Sequence, residues 1–249
     1  MSSDEIRTFI DMIRSARRCV VLTGAGVSTL SGIADFRGPE GIYSRTDIDA
    51  ERLFSFQAFT EDPTYYYTHT RDFIYGLNSF EPNLVHRELA RLELRGIINT
   101  IITQNIDMLH QRAGSKRVIE LHGSPEWHQC LQCGRRRAFD DIAVVVRGGA
   151  VPVCEECGGT VKPGIVFFGE MLDSTVLDDA VGEATMADLF VVLGSSLVVQ
   201  PAASLPMYAA QRGARLAIVN NMPTPLDSAA QCRLPDLLAC FEALAAERL

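Results

Sequence analysis

The sequence lacks any apolar run reaching the ~18 residues of a membrane-spanning helix. Its opening residues, MSSDEIRTFIDMIRSARR, lack the apolar core of a secretory signal. That leaves the cytoplasm as the expected compartment, and the seven cysteines are then not expected to form a disulfide framework. Positive charge is scarce as well. With 23 Lys and Arg against 31 Asp and Glu, the formal net charge is −8. This argues against a nucleic-acid binder that depends on phosphate contacts, although a local basic patch stays possible. Repeats, low-complexity stretches and long linkers are absent. One further thing is missing. Gly24-Ala25-Gly26 follows an apolar run, as in a dinucleotide-binding loop, but Thr29 stands where the third glycine of that pattern belongs.

What is present fits a soluble enzyme. A chain of 249 residues, 47% hydrophobic and 22% charged, is long enough for one large domain with a substantial core, with or without a smaller insert. Residues 19–22, 98–102, 189–193 and 216–219 are short, continuous, β-branched runs, as expected for parallel strands buried on both faces. Each run meets small or polar residues: Thr23-Gly24, Thr103-Gln104-Asn105, Gly194-Ser195-Ser196 and Asn220-Asn221. Helical patterns lie between them, over 84–95 up to Gly96 and over 202–212 up to Gly213. A further amphipathic helix opens the chain, with Ile6, Phe9, Ile10 and Ile13 on one stripe.

Strand alternating with helix implies an α/β fold with a doubly wound, Rossmann-like parallel sheet, whose ligands bind at the carboxyl ends of the strands. Two regions break the alternation: 39–81 is rich in aromatic residues and reads as helical, and 126–162 carries paired cysteines. They are expected to form a smaller helical and zinc-binding domain on a large domain made of 1–38, 82–125 and 163–249.

The pairs are Cys130-Leu-Gln-Cys133 and, after twenty residues, Cys154-Glu-Glu-Cys157. This spacing is a strong zinc signature. Four thiolates complete a tetrahedral Zn2+ shell and leave no position for water, so the metal is expected to be structural. A nucleic-acid-binding zinc ribbon is the alternative, supported only by Arg135-Arg136-Arg137. Cys19, Cys232 and Cys240 read as core residues.

The strand ends carry the candidate chemistry. Glycines let a backbone approach a pyrophosphate, and Asp35-Phe36-Arg37 reads as a lid over the bound ligand. Gln104, Asn105 and Asp107 offer two amides and an acid at the sheet's edge. A lone histidine is more often structural, but His122 follows the apolar run 118–121 beside these other polar ends, and is a candidate general base. A hydride-transferring dehydrogenase would need the third glycine and an acid ~20 residues on, carried by a strand. Asp47 and Asp49 lie at that distance, but no strand pattern carries them.

Read in order, GAGVSTLSGIADFRG, TQNIDMLH, LHG, the two C-x2-C pairs, GIVFFGE, GSSL and VNN resemble the sirtuin family, especially its compact bacterial and archaeal members. The resemblance covers residues from about 19 to about 221. It implies an NAD-dependent protein-lysine deacetylase that releases nicotinamide and O-acetyl-ADP-ribose. NAD is then a co-substrate. By this resemblance Gly24, Ala25, Gly26 and Thr29 line the cofactor loop, and Asp35, Phe36 and Arg37 cover the nicotinamide half. Gln104, Asn105, Ile106 and Asp107 surround the nicotinamide and its ribose. Gly194, Ser195, Ser196 and Asn220 hold phosphate and ribose. His122 is the catalytic base, assisted by Asn105 and Asp107, and Val166 and Phe168 clamp the acyl-lysine stem.

The partners implied are acetyl-lysine proteins or peptides, NAD and nicotinamide, with neither membrane nor nucleic acid. A chain close to a minimal core suggests a monomer. Relatives that remove acidic acyl groups carry Tyr-x-x-Arg in the small lobe. Here Tyr67 and Arg71 are four apart, so a neutral acyl pocket is expected. Transfer of ADP-ribose to protein, NAD hydrolysis and removal of longer acyl groups are the alternatives.

Overall fold

The structure, a computed structural model, describes residues 1–36, 38 and 41–247. Nine strands occur among them. They are β1 (Cys19–Thr23), β2 (Ile98–Thr103), β3 (Val118–Glu120), β4 (Gly123–Cys130), β5 (Arg136–Ala138), β6 (Val161–Ile165), β7 (Leu189–Leu193), β8 (Arg215–Val219) and β9 (Cys232–Leu234). Six of them form a parallel sheet in the order β3-β2-β1-β7-β8-β9. The chain winds outward from β1 on one side, then returns to its other side at β7. The order in which the chain connects the strands therefore reverses between β1 and β7, which is where a doubly wound fold opens its ligand crevice.

The continuous apolar runs conceal a period of two. Cys19 and Val21 of β1, with Leu189, Val191 and Leu193 of β7, join one core cluster. Val20 and Leu22, with Phe190 and Val192, join another on the opposite face. The first face is covered by helices Ser3–Ser15, Leu84–Leu94 and Leu237–Ala246, and the second by Ser174–Met186 and Leu205–Gln211. The first helix begins at a capping box made by Ser2 and Glu5. Of the predicted stripe it buries Phe9, Ile10 and Ile13 and leaves Ile6 partly buried against the same core, with Met12 buried besides. Burial of both sheet faces is what makes Cys19–Leu22 of β1 and all of β7 apolar, with Thr23 the one polar residue, at the carboxyl end. Truncating one such side chain, Phe190, is expected to cost about 3–5 kcal/mol.

A second, antiparallel sheet, β5-β4-β6, carries the cysteine module. Its strands β4 and β6 run across the expected domain limits at 125 and 162. The module also holds a helix, Phe139–Arg147, that the sequence reading does not anticipate, with Phe139, Ile142, Ala143 and Val146 buried. The aromatic insert folds as short helices, Ala50–Leu53, Phe56–Glu61 and Pro63–Thr70. Its rings close a third core cluster with Phe139 and Phe167, in which Phe59, Tyr66, Tyr67 and Tyr75 are almost wholly buried. Tyr67 donates its hydroxyl to the Val161 carbonyl, so it is turned into this core.

The three consecutive arginines are all engaged. Arg135 pairs with Glu156, Arg137 with Glu155 and Asp141, and Arg136 lies 4.1 Å over the Trp127 ring.

Candidate active site

At the reversal point the loops after β1 and β7 interlock. Gly24 N–H donates to the Leu193 carbonyl at 2.9 Å, and Gly26 N–H to the Gly194 carbonyl at 2.9 Å. A Cβ on Gly24 would lie 2.7 Å from the Gly194 oxygen, and one on Gly26 would lie 2.9 Å from Gly194 Cα. Both glycines are thus required by the neighbouring loop, before any ligand arrives. The chain then turns as a 3-10 helix, Ala25–Ser31. The Thr29 hydroxyl bonds back to the Gly26 carbonyl at 2.9 Å. Thr29 is exposed and stands outside the cleft lining, unlike the glycines before it.

After β2, Gln104 N–H donates to the Thr23 carbonyl at 3.0 Å, and Gln104 Nε2 to Ser195 Oγ at 2.8 Å. This ties the loops after β1, β2 and β7 into one floor. Asn105 is buried, and its amide Nδ2 donates to the Gly24 carbonyl at 3.1 Å and to Ser28 Oγ at 3.2 Å. Ser28 in turn donates to Asp107 Oδ2 at 2.5 Å, and Leu109 N–H donates to Asp107 Oδ1 at 2.9 Å. Asp107 lies beneath the lining. Burial raises its carboxyl pKa, against the lowering pull of the Ser28 and Leu109 bonds. Two non-glycine residues in left-handed conformation, Met108 (φ 63) and Leu197 (φ 54), flank these loops, the kind of strain that collects at functional sites.

His122 follows β3. Its Nδ1 lies 2.9 Å from the Gln104 carbonyl oxygen, which can only accept, so Nδ1 carries the proton and Nε2 keeps a lone pair. Burial lowers the pKa of the ring, opposed by that hydrogen bond. A neutral imidazole with a free Nε2 is the form a general base needs. The backbone on both sides is fixed. Val166 N–H donates to the His122 carbonyl at 2.8 Å, and a Cβ on Gly123 (φ +73) would meet the Gly164 oxygen at 2.1 Å.

The segment after β6 closes the other wall. Phe168 N–H donates to the Phe54 carbonyl at 2.7 Å and Phe56 N–H to the Phe168 carbonyl at 3.0 Å, so the aromatic insert grips the strand. Val166 and Phe168 line the cleft, and Phe168 remains half exposed. Behind them Lys162 is buried. Its Nζ donates to the carbonyls of Pro163 (3.2 Å) and Ile165 (2.6 Å) and pairs with Glu170 at 2.9 Å. Above lies the loop from Asp35. Asp35 Oδ1 accepts from Gly38 N–H at 2.8 Å, and the Phe36 ring packs 5.6 Å from Phe54 and 6.4 Å from Tyr43. Together these walls enclose a cleft of about 600 Å³.

Away from the cleft, the four thiols of Cys130, Cys133, Cys154 and Cys157 converge, with all Sγ atoms within 4.8 Å of one another. Cys130 and Cys157 approach to 3.5 Å, and Cys133 and Cys154 to 3.6 Å. Each pair sits on a tight knuckle, where Gly134 N–H bonds to the Cys130 carbonyl and Gly158 N–H to the Cys154 carbonyl. The sulfur tetrad fits a structural Zn2+.

The sequence matches the Sir2 family over residues 24–201. The chain belongs to that family. An NAD-dependent protein deacetylase of Thermotoga maritima is 44% identical over 226 residues, which are 91% of each chain. A solved Sir2 structure with a deacetylated peptide and 3′-O-acetyl ADP-ribose is 42% identical, with a TM-score of 0.92 over 98% of each chain. Another, Sir2 with a peptide and NAD+, is 41% identical, with a TM-score of 0.88 over 97% of this chain and 96% of that one.

Of the residues singled out from the sequence, one Sir2-type cleft brings together Gly24, Ala25, Gly26, Asp35, Phe36, Gln104, Asn105, Ile106, His122, Val166, Phe168, Gly194, Ser195, Ser196 and Asn220. Thr29 and Asp107 stand outside its lining, and Arg37 lies outside the described residues. The sequence reading misses Ser28, which links Asn105 to Asp107, and the wall residues Tyr43, Phe54, Val199, Pro201 and Met222. Met222 follows the polar end of β8 and could have been found from that. Ser28 carries no comparable signal.

Proposed function

We propose that this Sir2-family chain is an NAD-dependent protein-lysine deacetylase that transfers the acetyl group to ADP-ribose and releases nicotinamide. The observation that carries the residue assignments is His122: neutral, tautomerically fixed and seated between the Gln104-Asn105 floor and the Val166–Phe168 wall. NAD lies across the floor, with phosphates near Gly24-Ala25-Gly26 and Gly194-Ser195-Ser196, the adenosine ribose at Asn220, and the nicotinamide under Phe36 against Gln104, Asn105 and Ile106. The acetyl-lysine stem enters between Val166 and Phe168, its backbone adding as a strand between the lobes. Its acyl oxygen attacks the ribose C1′ as nicotinamide leaves. His122 Nε2 then takes a proton from a ribose hydroxyl, which attacks the acyl carbon; water adds to that carbon, its bond to the lysine nitrogen breaks, and free lysine and O-acetyl-ADP-ribose leave. Asp107 acts from beneath, holding Ser28 and through it Asn105.

The sulfur tetrad holds one zinc and takes no part in the reaction. The acyl group is neutral, because Tyr67 is turned away and the described lining contains no Lys or Arg. No helix among the described residues is long and apolar enough to cross a membrane. We place the protein in the cytoplasm, a reading supported by cysteines gathered as a metal cluster and not as disulfides. We read it as a monomer that does not bind nucleic acid, the second point supported by the net charge of −8.

The test is nicotinamide release from NAD by the purified protein, with and without an acetyl-lysine peptide. Peptide-dependent release, with turnover reduced by at least ~10²-fold in His122→Ala, is expected. Release without peptide would point instead to NAD hydrolysis or ADP-ribosyl transfer. Wild-type turnover in the variant would remove His122 from its role.

A further inference from the structure

The carbonyl that fixes the His122 tautomer belongs to the peptide unit joining Gln104 to Asn105. The other end of that same unit is also held. Asn105 N–H donates to Thr103 Oγ1 at 3.0 Å. Thr103 Oγ1 accepts in turn from Thr23 Oγ1 at 2.8 Å, and Thr23 Oγ1 lies 2.9 Å from His110 Nε2. Since the Thr23 proton is given to Thr103, His110 Nε2 must be the donor to Thr23. Thr23, Thr103 and His110 are between 0% and 2% exposed, so no water competes for these bonds.

The far end is complementary as well. His86 Nδ1 accepts from Asn83 N–H at 3.4 Å, which leaves its proton on Nε2. That Nε2 and His110 Nδ1 have no hydrogen-bond partner among the described residues, and the two rings pack edge to face at 4.8 Å. Burial lowers both imidazole pKa values, His110 to about 3 and His86 to about 4, so each ring carries a single N–H near neutral pH.

We infer that Thr103, Thr23 and His110 are positioning residues for the base, acting through the Gln104–Asn105 peptide unit. This rests on the reading of His122 as that base. An amide whose N–H is engaged in a buried hydrogen bond is polarised, and its carbonyl becomes a stronger acceptor. Among the described residues that carbonyl is the one anchor of His122 Nδ1. Partners of this kind, one shell behind a functional histidine, orient the ring and set its basicity, and their loss costs roughly 10–100-fold where measured at metal sites. Neither Thr103, Thr23 nor His110 lines the cleft.

The experiment compares Thr103→Val, Thr103→Ser, Thr23→Val and His122→Ala in the full zinc-loaded chain. It follows release of deacetylated peptide, exchange of labelled nicotinamide into NAD, and the pH dependence of kcat. Exchange needs only cleavage and re-formation of the nicotinamide bond, before the base acts. Both valine variants are expected to lose at least ~10-fold in kcat while exchange is retained. The midpoint of the rising pH limb should move to lower pH, because the Gln104 bond that raises the His122 pKa is weakened. Thr103→Ser, which keeps the hydroxyl, should recover most of the loss. Wild-type kcat and midpoint in the valine variants would overturn the inference. So would a fall in exchange parallel to kcat, or equal losses in Thr103→Ser and Thr103→Val. Wild-type turnover in His122→Ala would strike the base assignment itself, a separate result.

Discussion

The α-carbon of Gly194 lies 2.9 Å from the point where a Cβ on Gly26 would sit, so two loops from strands remote in sequence share one space. Gly194 is also left-handed, at φ +61, and its own Cβ would meet Val27 N at 2.5 Å. Gly194→Ala therefore meets both steric overlap and backbone strain. Denaturant unfolding should show a loss of about 1–3 kcal/mol, as overpacking and a strained left-handed residue each do. An unchanged midpoint would mean that the two loops separate more easily than their hydrogen bonds imply.

The His122 pKa is lowered, chiefly by burial. A base works deprotonated, so kcat should rise with pH along a limb centred below the ordinary imidazole value of about 6.5 and be level above it. A pH–rate profile measures this directly. A limb centred well above 7 would show that another group limits the reaction.

Lys162 is a buried cation that staples both ends of the Val166–Phe168 wall. Burial lowers its pKa, against the upward pull of Glu170. Lys162→Met removes that staple and takes away the counter-charge of Glu170, leaving it the Phe167 N–H at 2.7 Å. The expected loss is about 2–3 kcal/mol, less than the ~3–5 of a fully buried pair because the Glu170 side chain keeps 24% of its surface. Since the staple holds residues 163–170, KM for the acetyl-lysine peptide should rise more than KM for NAD. Equal changes in the two constants would count against this role.

A cleft without a described cation should reject an acidic acyl group. Succinyl-lysine peptide should be turned over at least ~10-fold more slowly than its acetyl counterpart, a difference of about 1.4 kcal/mol. Matched peptides under identical NAD concentrations decide the point, and comparable rates would require a cation that approaches only when substrate binds.

The sulfur tetrad predicts one zinc per chain by elemental analysis. Cys133→Ser should lose that zinc and lower the thermal midpoint, because β5-β4-β6 rests on the two knuckles. Full stability of the zinc-free variant would show that the aromatic core alone maintains the small lobe.

Much of this arrangement can be read from the sequence, for physical reasons. Strands buried on both faces are apolar over most of their length, so β1, β2, β7 and β8 announce themselves, and their carboxyl ends mark the cleft. Cysteine pairs at zinc spacing are equally hard to mistake. Other features leave no such trace. Ser28 owes its importance to Asn105 and Asp107 approaching it from a loop some eighty residues away. Thr29 sits in a promising motif, yet the tight 3-10 turn sends it outward. The helix Phe139–Arg147 was obscured by its Val-Val-Val run, which favours strand by propensity while its apolar spacing is helical. Lys162 looks like any surface lysine until its three acceptors are in place.

Trp127 is the sole tryptophan of the chain. It projects from β4 against Gly164, where any side chain would collide with the indole at 2.4 Å, and Arg136 covers it at 4.1 Å. Gly164 opens the segment that forms the Val166–Phe168 wall, where we propose that acyl-lysine binds. Excited beyond the tyrosine absorption band, the fluorescence of this protein is consequently a single-site optical signal from the hollow that Trp127 shares with residues 118–121 of the parallel sheet's edge. Any rocking of the zinc-bearing lobe as peptide or NAD is taken up alters the environment of that one fluorophore, without a label.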